Sequence, residues 1–172
     1  MPAATDVAVD SESLPYAEIG DELIYGYFAF PTDMVEPLPA VVLVHDIWGL
    51  TDNIRALADQ LAAQGYMVLA VDLFSGETSA DIVEARKNTI VVIEDPERTS
   101  DNLQQALVFV GIAGAPRKAA IGFGLGGTWA LNMAEQFPED MDAAVIYEGD
   151  IVVLRQQATA ENGEIVVGLS LS

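Results

Sequence analysis

The residues with the clearest chemical meaning form a glycine-rich turn, GFGLGG, at positions 122–127. The turn follows an apolar run that predicts a buried strand, and it precedes a segment with helical spacing. Enzymes often expose a nucleophilic Ser or Cys at the centre of such a strand–turn–helix element. The central position here is Gly124, which has no side chain to attack a substrate. The pattern therefore predicts a catalytic turn without the catalytic atom.

The glycines of this turn fit two motifs. Gly122, Gly124 and Gly127 match G-x-G-x-x-G, the dinucleotide-binding fingerprint. Glu148, at the end of the next predicted strand, stands near the place of a ribose-binding acid. With Gly122 and Gly126 on either side of position 124, the turn also matches a nucleophile elbow. A third interpretation is structural, because glycines let a helix pack closely on a sheet.

Alternating strands and helices position this turn. Continuous apolar runs predict strands buried on both faces. These runs are Ala40–His45, Tyr66–Val71, Lys118–Gly122 and Ala143–Asp150. Helices are predicted from Thr51 or Asp52, from Ala80, from the Asp95–Pro96 pair and from Thr128, and an antiparallel strand or hairpin from Tyr16 to Phe30. The alternation predicts an α/β fold with a mostly parallel sheet and helices on both faces.

The chain divides into three segments. Residues 1–13 are acidic and are predicted to be flexible, and residues 14–150 form one α/β core. Residues 151–172 form an atypical tail, in which Ile151–Leu154 and Ile165–Leu169 flank an Asn-Gly turn and predict a hairpin. Since a whole βαβ unit precedes the glycine turn, a dinucleotide site is the least favoured interpretation.

Charge excludes two classes of partner. The chain has 27 Asp and Glu residues against 7 Lys and Arg, a net charge of −20. Phosphate backbones and anionic membrane surfaces attract Lys and Arg, so neither nucleic acid nor a membrane is an expected partner. The acidity predicts a strongly solvated surface and motivates the hypothesis of a halophilic protein in a high-salt cytoplasm.

Missing residue types exclude further chemistry. The chain has no Cys and a single histidine, His45. A thiolate nucleophile, a disulfide and a multi-His or Cys metal site are therefore excluded, and we expect no metal ion or cofactor. The N-terminal residues lack the apolar region of a signal peptide, and no apolar run reaches the length of a membrane span. We expect a cytoplasmic protein.

The segment Val41–Gly76 and the glycine turn together resemble the dienelactone hydrolase family of α/β-hydrolases. In that family one strand ends in an acidic-aromatic-glycine loop, like His45–Gly49 here, and a later strand ends in Asp-Leu, like Asp72–Leu73. The family also has a G-[YFW]-C-x-G-G turn, matched here by GFGLGG. The resemblance extends from about Tyr16 to Asp150 and implies an α/β-hydrolase-like sheet that is incomplete on its C-terminal side.

The resemblance also implies where the catalytic parts of the site fall. The family's Cys nucleophile falls on Gly124, so that position is vacated. The two backbone N–H groups of the oxyanion hole fall on Ile47 and Leu125. A family glutamate that interacts with the nucleophile falls on Asp46, whose side chain is shorter. An oxyanion hole built from backbone donors survives changes of side chain.

Two further residues are expected to contact substrate by the same resemblance. They are Trp48, in the loop after the first parallel strand, and Arg86, near where the family holds a substrate carboxylate. The family's triad Asp and His come later in the chain, and no His follows His45 here. We expect His45 to make a structural hydrogen bond rather than to act in catalysis.

Three functions remain open. The first is a hydrolase of carboxylic esters or lactones that is inactive or very weak, a pseudoenzyme, because its triad is not intact. The second is a non-catalytic binding or scaffolding protein that uses the same fold. The third is a nucleotide-binding module through the GFGLGG turn. Because a sheet that stops at Asp150 leaves an unpaired strand edge, we expect either that the tail pairs with this edge or, as the favoured alternative, that a second copy or a partner chain does.

Overall fold

The computed structural model describes residues 7–33, 35 and 37–148, together with the backbone of 164–167. The strands are β1 (Val9–Ile19), β2 (Glu22–Pro31), β3 (Ala40–Val44), β4 (Met67–Ala70), β5 (Lys118–Phe123), β6 (Ala143–Tyr147) and β7 (Glu164–Val167). The helices are α1 (Asp52–Ala63), α2 (Ile82–Glu94), α3 (Pro96–Ile112) and α4 (Leu125–Gln136). The strands form one sheet in the order β1-β2-β4-β3-β5-β6-β7.

The sheet is mostly parallel, as the alternation of elements predicts. β3 pairs in parallel with β4 and β5, and β6 pairs in parallel with β5 and β7. β1 and β2 form the predicted antiparallel hairpin, and β2 joins the rest of the sheet through an antiparallel pairing with β4. Every residue of β3 and β4 is buried, which explains why their sequences are continuously apolar.

Two hydrophobic clusters cover the opposite faces of the sheet. Successive side chains of β3 point to opposite faces, so that Val41 and Leu43 belong to one cluster and Val42 and Val44 to the other. α1 packs on the first cluster through its apolar face, which includes Ile54. α3 and α4 pack on the second cluster. The prediction of helices on both faces is confirmed.

Three helix boundaries are formed by the capping residues that the local sequence provides. The Asp95 carboxylate accepts the N–H of Arg98 at 3.0 Å, and Pro96 stands in the first turn of α3. The Asp81 carboxylate caps α2 in the same way. Gly65 follows α1 with φ +101°, a left-handed conformation that glycine adopts at little cost. These caps are encoded by neighbouring residues, so a single sequence suffices to find them.

Two predicted boundaries are wrong. β1 begins at Val9, within the segment predicted to be flexible, because Val9 pairs with Pro31 of β2 and the edge of the hairpin tolerates polar residues. α4 begins at Leu125 rather than at Thr128, because the glycine turn passes directly into the helix. For β1, pairing with a strand farther along the chain overrides the polar local composition. For α4, the special backbone angles of Gly124 let the helix begin earlier than the local composition predicts.

Part of the tail joins the sheet. β7 lies at the sheet edge and pairs in parallel with β6, from Ala143 opposite Glu164 to Ile146 opposite Val167. The other half of the predicted hairpin, Ile151–Leu154, lies outside the described residues, and the hairpin stays a prediction. Across the described ranges, no helix combines the length and the apolar character needed to cross a bilayer.

Candidate active site

Three loops meet at one edge of the sheet, because neighbouring parallel strands end on the same side. Ile47 follows β3, Gly124 and Leu125 follow β5, and Glu148 follows β6, and all four line one cleft. The cleft has a volume of about 580 Å³. Its apolar lining residues are Ile47, Ile93, Pro96, Leu125 and Trp129, and its polar ones are Thr89, Thr128, Asn132 and Glu148.

The turn after β5 has the sharp geometry of a nucleophile elbow. Gly124 has φ +52° and ψ −115°, a conformation that residues with side chains rarely adopt. Its N–H donates to the carbonyl oxygen of Tyr147 at 2.8 Å, and its own carbonyl accepts the N–H of Gly127 at 3.0 Å. These bonds attach the turn to β6 on one side and to α4 on the other, so position 124 is held rigidly at the cleft.

The flanking glycines are required by close packing, whereas Gly124 is not. A Cβ at Gly122 would lie 2.0 Å from the carbonyl oxygen of Gly126, and a Cβ at Gly126 would lie 2.3 Å from that of Val44. A Cβ at Gly124 would meet only the Asp46 Cβ, at 3.8 Å. The elbow therefore has space for a side chain at its centre.

Two backbone donors are available at this turn. The N–H groups of Ile47 and Leu125 have no hydrogen-bond partner within the described residues. Leu125 is the first residue of α4, where unpaired N–H groups and the helix dipole favour negative charge. Both residues line the cleft beside Gly124. The predicted assignment of these two N–H groups to an oxyanion hole, which needs backbone donors directed at a carbonyl oxygen, stays a prediction.

Asp46 is brought next to the vacated position, and its carboxylate also organises the loop. Its Oδ1 accepts the N–H of Trp48 at 2.9 Å, and its carbonyl oxygen accepts the N–H of Gly49 at 3.3 Å. These bonds close a tight turn that carries Ile47. Asp46 thus supports the loop that carries Ile47, and its predicted contact with a nucleophile has no partner atom at Gly124.

His45 is fully buried and makes structural hydrogen bonds. Its Nδ1 donates to the carbonyl oxygen of Asp46 at 2.7 Å, and its Nε2 accepts the N–H of Leu73 at 3.0 Å. The Asp72 carboxylate, 3.8 Å from Nε2, accepts the N–H groups of Phe74 and Gly76. The imidazole therefore ties the loop after β3 to the loop after β4, and both of its nitrogen atoms are occupied.

The two predicted substrate contacts do not line the cleft. Trp48 is 36% exposed, and its carbonyl oxygen accepts the N–H of Ser79. Arg86 is exposed on α2, one turn before Thr89, which does line the cleft. The structure thus brings together Asp46, Ile47, Gly124 and Leu125 and leaves Trp48 and Arg86 outside. The roles of the latter two in substrate binding stay predictions.

Sequence reasoning missed Asn132, which lines the cleft from the second turn of α4. Its Oδ1 is buried and has no hydrogen-bond partner among the described residues. The signal lies in the helical spacing, since Leu125, Trp129 and Asn132 recur on one face at intervals of three and four residues. A polar residue on a core-facing stripe is uncommon. In the described part of the chain, no group of acidic or histidine side chains is placed to hold a metal ion.

Comparisons with known sequences identify the family that the chain resembles. The family model described as the dienelactone hydrolase family matches residues 24–169. The Aquifex aeolicus (strain VF5) protein named "Putative carboxymethylenebutenolidase" is 33% identical over 136 residues, which cover 75% of this chain and 58% of that protein. Protein usf of Aquifex pyrophilus is 30% identical over 118 residues, which cover 64% of this chain and 51% of that protein. The chain therefore spans only part of the length of these relatives.

Comparisons with solved structures support the fold. The structure named m3DLH superposes with a TM-score of 0.82 at 27% identity, covering 93% of this chain and 68% of that chain. The dienelactone hydrolase-like promiscuous phosphotriesterase P91, from metagenomic libraries, superposes with a TM-score of 0.79 at 23% identity and the same coverage. At 23% identity, the similarity to this phosphotriesterase concerns the fold alone.

Proposed function

Because the chain belongs to the dienelactone hydrolase family, we propose that its cleft binds the carbonyl group of a carboxylic ester or lactone. The backbone N–H groups of Ile47 and Leu125 are the donors to the carbonyl oxygen. The observation that carries this proposal is the presence of both unpaired N–H groups in the lining of one cleft, beside the elbow. Donors held by the backbone need no reorganisation when a carbonyl binds.

Covalent catalysis is the step that this chain does not support. Gly124 offers no attacking atom, and both ring nitrogens of His45 are engaged in structural hydrogen bonds. We therefore propose a pseudoenzyme that binds its ester and hydrolyses it very slowly. Oxyanion stabilisation and binding alone leave a rate about 10³-fold above the uncatalysed reaction in hydrolases that have lost their triad.

Removing one oxyanion donor tests the binding proposal. Leu125→Pro deletes the N–H at the first position of α4, where the helix tolerates proline because that N–H has no partner inside the helix. Leu125→Ala is the matched control, since it shortens the side chain and keeps the N–H. The measurement is the dissociation constant of methyl 4-methylbenzoate, followed by ¹⁵N-resolved backbone amide shifts.

We expect Leu125→Pro to weaken binding about tenfold relative to Leu125→Ala, which is the loss of roughly one hydrogen bond. The Ile47 amide should shift on titration in the wild type. Equal affinities of the two variants, with both folded, would remove Leu125 from the proposed oxyanion hole.

Hydrolysis of p-nitrophenyl acetate tests the catalytic part of the proposal. Gly124→Ala should leave the rate nearly unchanged, because no attacking atom is lost. Gly124→Cys alone should not restore efficient turnover, since both ring nitrogens of His45 are engaged and no other histidine exists to activate the water that must release the acyl group. A hundredfold loss in Gly124→Ala, with the fold intact, would mean that the backbone at position 124 itself supports catalysis.

The acidic surface supports a second, separate proposal about the environment. A net charge of −20 disfavours the compact state through repulsion between carboxylates, and dissolved salt screens this repulsion. We therefore propose that the protein works in a salt-rich cytoplasm. The midpoint of thermal unfolding should rise as KCl is increased toward molar levels, and a falling midpoint would contradict the proposal.

The edge strand β7 supports a proposal about assembly. It stands at the end of the sheet order, and an edge strand presents unpaired N–H and C=O groups to another chain. We propose that this edge pairs with a second copy or with a partner chain. Light scattering in concentrated KCl should give a mass above that of the monomer, and a strictly monomeric chain with a protected edge strand by hydrogen exchange would contradict it.

A further inference from the structure

The cleft combines apolar walls with polar groups at two separate places. Ile93, Pro96 and Trp129 provide apolar surface in the lining, and Trp129 stands between Leu125 and Asn132 on α4. Leu125, which carries the oxyanion donor, and Asn132 are separated by about 10 Å along the helix axis at a rise of roughly 1.5 Å per residue. A ligand that spans this distance would meet hydrogen-bonding groups at both ends and apolar surface in the middle.

The Asn132 amide is an unusual group to leave unpaired. Its Oδ1 is buried and has no partner among the described residues, and a buried polar atom without a hydrogen bond destabilises the folded state. Asn132 lines the cleft, and the broad χ2 torsion of asparagine lets its amide rotate when a ligand binds there. A hydroxyl group suits both ends of the amide, because it donates to Oδ1 and accepts from Nδ2.

Glu148 sets the charge of the same cleft. It follows β6 with φ +51°, so its backbone has an uncommon conformation at the cleft rim. Among the described residues that line the cleft, none is Lys, Arg or His, and Arg86 stays outside it. A carboxylate on a ligand would approach the exposed Glu148 with no neutralising cation among the described lining residues, so the two like charges repel.

We propose that this cleft selects uncharged esters in which a hydroxyl group is separated from the ester carbonyl by a spacer about as long as one benzene ring. Asn132 binds the hydroxyl group, and Glu148 disfavours esters that carry a carboxylate. This inference rests on the proposed function, since the carbonyl must first occupy the Ile47 and Leu125 donors. It adds a substrate class that those donors alone do not determine.

Three methyl benzoates that differ only at the para position test the proposal. Methyl 4-(hydroxymethyl)benzoate carries the hydroxyl group, methyl 4-methylbenzoate is neutral without it, and 4-(methoxycarbonyl)benzoate carries a carboxylate. Dissociation constants are measured for the full chain by amide-shift titration. We expect the hydroxymethyl ester to bind about fivefold more tightly than the methyl ester, and the carboxylate ester about tenfold more weakly.

Two variants assign the preferences to their residues. Asn132→Leu should abolish the preference for the hydroxymethyl ester over methyl 4-methylbenzoate, measured as the ratio of the two dissociation constants in the same variant. Glu148→Gln should reduce the discrimination against the carboxylate ester severalfold. Glu139→Gln is the matched control for charge, because Glu139 is exposed before β6, at the opposite end of that strand. It removes the same charge and should leave the discrimination unchanged.

The outcomes separate this inference from the proposed function. If none of the three esters binds, the carbonyl-binding function fails. If methyl 4-methylbenzoate binds but the three affinities are equal, the selection for neutral hydroxy-esters is wrong and the carbonyl site stands. If Glu139→Gln relaxes the discrimination as much as Glu148→Gln, the effect is a general one of net charge, and the role of Glu148 is wrong.

Discussion

At the carboxyl ends of the parallel strands, the polar groups near β4 and those near β5 and β6 differ in whether they have hydrogen-bond partners. On the side of β4, the buried Tyr16 hydroxyl donates to Asn102 Oδ1 and accepts the N–H of Asp72 at 3.3 Å. Asn102 Nδ2 donates to the carbonyl oxygen of Asp72 at 3.0 Å, and His45 bonds through both ring nitrogens. We call these four residues the packed side. Their buried polar groups have protein partners and hold loops in place.

On the side of β5 and β6, the lining of the cleft forms what we call the open side. Within the described residues, the N–H groups of Ile47 and Leu125 and the Oδ1 of Asn132 have no partner. Folding normally pairs such groups, because an unpaired buried donor or acceptor lowers stability. Polar groups on the packed side serve the structure, whereas those on the open side are the groups that the proposed function assigns to a ligand.

The largest expected effect concerns the close packing of α4 against the end of β3, which lies between the packed side and the open side. In Gly126→Ala the new Cβ would lie 2.3 Å from the carbonyl oxygen of Val44 and 2.4 Å from that of His45. Backbone atoms cannot move aside as a flexible side chain can, so we expect the free energy of unfolding to fall by about 3 kcal/mol. Urea denaturation measures the loss.

Gly111→Ala is the control for this prediction. A Cβ there meets only the flexible end of Lys118, at 3.0 Å, and Gly111 lies inside α3. Since alanine favours a helix over glycine by about 1 kcal/mol, this variant should be neutral or more stable. Similar losses for the two variants would mean that the close contact at Gly126 relaxes easily.

The next effect concerns the hydroxyl group at the centre of the packed side. Tyr16→Phe leaves the Asn102 Oδ1 and the Asp72 N–H without their partner, and we expect a loss of about 2 kcal/mol in the free energy of unfolding. Burial raises the pKa of Tyr16 above its usual value of 10.0, so the wild type should also lose stability as the pH rises above 10.0. The variant should lose less over that range.

Tyr27→Phe provides the comparison for Tyr16. The Tyr27 hydroxyl donates to the Asp59 carboxylate at 3.0 Å and lies 2.7 Å from Ser11 Oγ, from which it accepts, in a partly buried position where water can replace the lost bonds. We expect a change below about 1 kcal/mol. If the two tyrosine variants lost equal stability, burial would not explain why the packed side is fully paired.

A smaller effect, of opposite sign, is expected on the open side. Asn132→Leu removes a buried acceptor that has no partner and should raise the free energy of unfolding by about 1 kcal/mol. Asn88→Leu is the control, because the Asn88 amide donates to Ser79 Oγ at 3.2 Å and its removal should not stabilise the chain. A loss of stability in Asn132→Leu would show that its amide already has a partner in the folded chain.

The smallest effect lies on the surface and depends on pH. Hydrogen bonds from Ser75 and then Arg98 lower the pKa of Glu22 from its usual value of 4.5, and Arg98 lies 2.5 Å from its Oε2. A lowered pKa in the folded state gives stability above pH 4.5 that is lost as the pH falls through the folded value. Glu22 is 46% exposed, so solvent screening limits the effect to about 0.3 kcal/mol.

Glu22→Gln tests this last prediction by chemical denaturation at two pH values. One is about pH 6, where the stabilisation should be complete, and the other is about pH 3.5, where it should be partly lost. The difference in stability between wild type and variant should be present at the higher pH and shrink at the lower one. A difference that grows on acidification would contradict the direction of the shift.

The sequence by itself determined the elements whose causes are local. The apolar runs of β3 and β4 predict buried parallel strands, Asp95 and Pro96 predict the start of α3, and the spacing of Gly122 and Gly126 predicts the elbow. Each of these signals depends on neighbouring residues or on a steric requirement at one glycine. Resemblance to the family assigns an oxyanion hole to Ile47 and Leu125; both residues line the cleft, and this role stays a prediction.

Only the tertiary structure decided which polar groups would be paired. The bond from Leu73 to His45, the network around Tyr16 and the unpaired Oδ1 of Asn132 all depend on contacts between residues far apart in the chain. The start of β1 at Val9 has the same origin, since its partner strand supplies the hydrogen bonds. Composition near one residue does not specify which distant atoms will reach it, because the packing of sheet and helices sets those distances.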